Sequence, residues 1–99
     1  MGLFGPDIKY SQIKRQLLEI ELRKLLAHVR LTPGSTISDA DENLVKDAIL
    51  SHRESGDKIS LQHIYETLLH LKSQNRITKY DFATLMKVFE KYFIEHFTD

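Results

Sequence analysis

Two stretches of the chain, KISLQHIYETL from Lys58 and RITKYDFATLM from Arg76, share one pattern, with their isoleucines eighteen positions apart (77 − 59). Ser60 and Thr78 are N-cap residue types, and His63 and Asp81 occupy the third helical position after them. Ile59 with Ile64, and Ile77 with Phe82, take the flanking places of a hydrophobic staple, so each stretch spells a helix start. The preceding GDK and QNR read as tight turns, and TIS at Thr36 to Ser38, with Asp41 three residues on, is a looser third version. A chain punctuated in this way has one economical way to bury its apolar residues, which is to pack helices against one another.

Between these marks the apolar residues recur at threes and fours. From Asp7 to Leu31 the series runs Ile8, Ile13, Leu17, Leu18, Ile20, Leu22, Leu25, Leu26 and Val29, ended by the proline and glycine of LTPGST. A second helix is expected over 39–55, with acids at its positive end, a third over 60–73 and a fourth over 78–97. Sustained period-two alternation is absent, so strands are not expected beyond a bridge or two. The fold class expected is all-α: a compact four-helix domain built from two antiparallel helical hairpins, joined by short loops.

Ninety-nine residues, 41% hydrophobic and 28% charged, suit a single soluble domain. It is expected over 7–99, with 1–6 as a flexible tail. MGLFGP resembles a myristoylation signal, but Pro6 stands where serine or threonine belongs, and its single GLFG lacks the repetition of nucleoporin segments. Lys plus Arg equals Asp plus Glu at fourteen each, leaving no global field to draw the chain to nucleic acid or to an anionic membrane. There is no cysteine, and no apolar run approaches the ~18 residues of a spanning helix. The expected setting is cytoplasmic, with no membrane partner.

A helix, a loop bearing an isoleucine and a second helix together resemble the calcium-binding EF-hand. That loop needs oxygen ligands at its first, third and fifth positions and a glutamate at its twelfth. Anchored on Ile59 those places hold His52, Glu54, Gly56 and His63, and anchored on Ile77 they hold His70, Lys72, Gln74 and Asp81. Neither set suits calcium; a metal-free pairing of Ile37 with Ile77 is the alternative geometry.

Of the five histidines, His63 and His70 are seven residues apart, ~10.5 Å along a helix and too far to share one ion directly. His28, His52, His70 and His96 fall near the expected helix C-termini, where the macrodipole favours them, and His63 belongs to the third cap. Asp39 and Asp41 are explained by helix capping. No GxSxG, phosphate-cradling glycine loop or HExxH is present. No catalytic residue, metal ligand or cofactor is therefore expected, and the chain reads as a non-enzyme.

Two binding readings remain. On the first helix Leu18, Leu22, Leu25 and Val29 form a 4-3-4 seam, and Ile13, Leu17 and Ile20 widen the apolar stripe beyond what one neighbour covers. On the last, Phe89, Tyr92, Phe93, Ile94 and Phe97 crowd the C-terminal end. The four residues of the seam and the five of the C-terminal end, nine in all, are the expected interface of a small adaptor or regulator that binds another protein or a second copy of itself. The alternative is a helix-turn-helix DNA binder, with Lys79, Tyr80, Thr84 and Lys87 facing outward from the fourth helix.

Overall fold

The computed structural model describes residues 8–96. The tail expected over 1–6, Asp7 as an N-cap and Phe97 as an interface residue lie outside the described residues. In chain order the elements are β1 (Lys14–Gln16), α1 (Glu19–Arg30), α2 (Asp39–Ser51), β2 (Lys58–Ser60), α3 (Leu61–Ser73) and α4 (Lys79–His96). Helix α1 packs on α2 and α4, and α3 packs on α2 and α4, so the four helices close a ring. Val29, Val45, Ile49, Ile64, Leu68, Leu85 and Phe89 fill its centre without exposure.

The helix starts follow the expected grammar. Ser38 accepts from the Asp41 N–H at 3.1 Å while Asp41 accepts from the Ser38 N–H at 3.3 Å, a complete capping box. Ser60 accepts from His63 N–H at 3.0 Å, and Thr78 from Asp81 N–H at 3.0 Å. Each such cap is worth ~0.5–2 kcal/mol. The turns before them take positive φ at Gly56, Asp57 and Asn75, where glycine, aspartate and asparagine are best tolerated.

Two expectations are corrected. The first helix begins at Glu19, not at residue 7, because residues 9–17 are pulled into an extended path by long-range bonds. Gln62, 3% exposed, accepts the N–H groups of Lys9 and Tyr10 at 2.9 and 3.0 Å through its amide oxygen. The Gln62 backbone N–H donates to the Ser11 carbonyl at 3.0 Å. Beyond that point Lys14, Arg15 and Gln16 pair antiparallel with Ser60, Ile59 and Lys58. The chain is thus mostly helical with a small two-stranded sheet, and the strand partner of Ile59 is Arg15; the expected alternative, Ile37 with Ile77, is not among the bridges of the described residues.

The second correction concerns the expected interface. Leu22, Val29 and Phe89 have no exposure, and Tyr92 and Phe93 are nearly buried. With α1 seated against both α2 and α4, its Leu22, Leu26 and Val29 face inward, and these residues are core rather than surface. Leu22→Ala should therefore cost ~2–5 kcal/mol of folding stability through the cavity it opens. Urea unfolding followed by circular dichroism measures this; a loss below ~0.5 kcal/mol would place Leu22 at the surface.

Candidate functional site

The ends of α1 and α4 that meet at the ring's seam are joined by a polar contact. Leu18, the N-cap of α1, has no side-chain acceptor, so Glu21 supplies half of the box by accepting from the Leu18 N–H at 3.1 Å. Glu21 also accepts a hydrogen bond from the Tyr92 phenol of α4. Burial, first, and then that bond and the carboxylate charge push the Tyr92 pKa from 10.0 up to about 12. His96 stacks on the Tyr92 ring at 4.1 Å between centroids, tilted by 25°. Its Nδ1 lies 3.0 Å from the Tyr92 carbonyl.

Around this contact the surface is mixed. A groove of about 200 Å³ runs between α1 and α4, walled by Leu25, His28 and Val88, with Lys91 and Glu95 at its edge. Leu18 is 38% exposed and Ile94 63% exposed, while Ile20, expected only to widen the stripe, is 61% exposed. Ile20 is flanked by Glu19 and Arg23, themselves paired at 2.5 Å. Of the nine interface candidates, then, Leu18 and Ile94 lie open, Leu25 is half-buried, five belong to the core, and Phe97 is outside the described residues.

The four nucleic-acid candidates divide as well. Lys79 and Lys87 are exposed. The Tyr80 hydroxyl donates to the Pro33 carbonyl at 2.9 Å, and the Thr84 hydroxyl donates to the Tyr80 carbonyl at 3.0 Å, so both are held by the protein itself.

On the other side of the ring, α2 and α3 enclose a cleft of about 350 Å³ that faces His52, His63, Glu66 and His70. His52 is the C-cap of α2 and His63 lies in the first turn of α3, yet their rings stand 4.9 Å apart. Spacing within one helix could not reveal a pair formed between two helices. Among the described residues no group of three or more histidine, aspartate or glutamate side chains is arranged to hold a metal ion. Among them, too, no helix is long and apolar enough to cross a membrane.

No family model, curated protein or solved structure matches the chain. The surfaces themselves have to carry the functional reading.

Tyr92 makes the seam between α1 and α4 observable. Its pKa is raised, so its contribution to stability is present below pH 10.0 and is lost as pH rises from there through about 12. Tyr10 is also raised, by burial and then by the charge of Glu90. An ultraviolet phenolate titration should show a step near pH 12, and Tyr92→Phe should remove it. Ionisation of Tyr92 near pH 10 would show that its phenol is not held by Glu21.

Proposed function

We propose that this chain is a small non-enzymatic adaptor or regulator of the cytoplasm. It acts by binding another protein or a second copy of itself through the flank formed by the start of α1 and the end of α4. The observation that carries this reading is the exposure of three large aliphatic side chains, Leu18 and Ile20 at the start of α1 and Ile94 near the end of α4. Removing these side chains from water would supply the favourable free energy of association. The bordering Glu19, Arg23, Lys91 and Glu95 would set orientation without opposing contact, because each acid has a base beside it.

A second reading, duplex DNA binding by α3 and α4, draws its support from Arg76, Lys79 and Lys87, all exposed in the turn before α4 or on its outer face. Three cations would give a steep salt dependence, with log affinity falling by ~0.9 for each phosphate neutralised per tenfold rise in salt.

Light scattering on a size-exclusion column, over a concentration series at two salt levels, is the deciding experiment. The expected result is a species larger than the monomer that tolerates salt and reverts to monomer in Ile20→Asp and Ile94→Asp. Both changes sit at exposed positions and should leave helicity intact. A wild-type monomer throughout would remove self-association and leave a different protein as the partner. Salt-sensitive retention of duplex DNA, lost in Lys79→Ala with Lys87→Ala, would favour the second reading instead.

A further inference from the structure

We propose that the cleft between the C-terminal end of α2 and the first two turns of α3 binds a divalent cation of the zinc class through the imidazoles of His52 and His63. Zinc lies ~2.0–2.1 Å from a ligating imidazole nitrogen, which puts each ring centre about 3.2 Å from the ion and two such rings, at the tetrahedral angle, about 5.2 Å apart. The observed separation of 4.9 Å, with the ring planes inclined at 55°, is close to that spacing.

Both rings are carried by backbone that is already fixed. The His52 N–H donates to the Ile49 carbonyl at 3.1 Å, closing α2, and the His63 N–H donates to the Ser60 hydroxyl at 3.0 Å, opening α3. The carbonyl end of α2 adds partial negative charge beside His52. Both imidazoles face the same cleft of about 350 Å³, whose polar lining is completed by Glu66, Thr67 and His70.

Two imidazoles face the ion, and the remaining positions around it fall to water. The Glu66 carboxylate, three residues beyond His63 on α3, lines the same cleft, and its Oε2 accepts from the Gln62 amide at 2.9 Å. His70, a further turn along, lines the far wall. Imidazole with water suits zinc, copper or nickel, and a site with two protein ligands is open and exchangeable rather than a closed structural centre.

Isothermal titration of the full chain with zinc, alongside nuclear magnetic resonance of the imidazole protons, tests this directly. The expected result is one saturable ion per chain that shifts the His52 and His63 ring signals and leaves His28 unmoved. His52→Ala and His63→Ala should each weaken uptake about tenfold or more, a loss of ~1.4 kcal/mol. His28→Ala, on the opposite side of the helix ring, should not weaken it. Should His63→Ala perturb folding, His52→Ala alone decides, since His52 is exposed. The proposal is overturned if no saturable uptake is seen, if uptake survives in the double variant, or if His28→Ala weakens it equally.

Discussion

A carboxylate that is 2% exposed must find its hydrogen bonds inside the protein, and those of Asp81 determine how the two halves of the chain are joined. Its oxygens accept from the Thr36 N–H at 3.1 Å and from the Thr36 hydroxyl, which anchors the connection between α1 and α2 on the first turn of α4. One residue earlier, the Tyr80 hydroxyl holds the Pro33 carbonyl of the same connection. Gly34 lies beneath that hydroxyl with φ +87°, and a Cβ there would stand 2.9 Å from the phenol oxygen. Glycine meets both demands, the left-handed backbone and the close approach. The start of α4 also offers free N–H groups and a positive dipole end, so a carboxylate buried there is stabilised by the helix that carries it.

That arrangement departs from the pattern written in the sequence in an instructive way. Thr78 caps the Asp81 N–H, as its position predicts, but the Asp81 carboxylate turns to the distant Thr36. Local grammar therefore located the start of α4 while concealing the residue's larger task. The starts of α2 and α3 were equally legible, because Ser38 and Ser60 act within three residues of themselves. The start of α1 was not. Ile8 and Ile13 fit a helical count, yet they stand 62% and 54% exposed on an extended segment held by Gln62, more than fifty residues away in sequence. The buried Gln62 amide and the pairing with β2 outweighed the periodicity, and no local signal marks either as a partner.

Interface and core present the same difficulty in another form. Both are written in leucine and phenylalanine, and spacing says which residues share a face but not whether a neighbour covers it. Leu18 and Leu22 are four residues apart on one seam, but Leu22 enters the core and Leu18, at the N-cap, stays outside. Ile20 lies roughly 200° around the helix from Leu22 and is open for that reason. The histidines show the converse. His52 and His63 are eleven residues apart in sequence (63 − 52), across the turn that contains β2, and only closure of that turn makes them neighbours.

The ring of helices keeps these two surfaces apart. The start of α1 and the end of α4 carry the exposed aliphatic residues, and the seam of α2 with α3 carries the imidazole cleft. A formal net charge of +0 gives neither surface help from a long-range field. The charges near the flank are paired at short range, as in Glu19 with Arg23, and salt screens their reach to about 8–10 Å. Association there would accordingly depend on apolar contact for its strength and on the paired charges for its register. A cation held in the cleft would act differently, by favouring the folded state in which α2 and α3 bring the two imidazoles together.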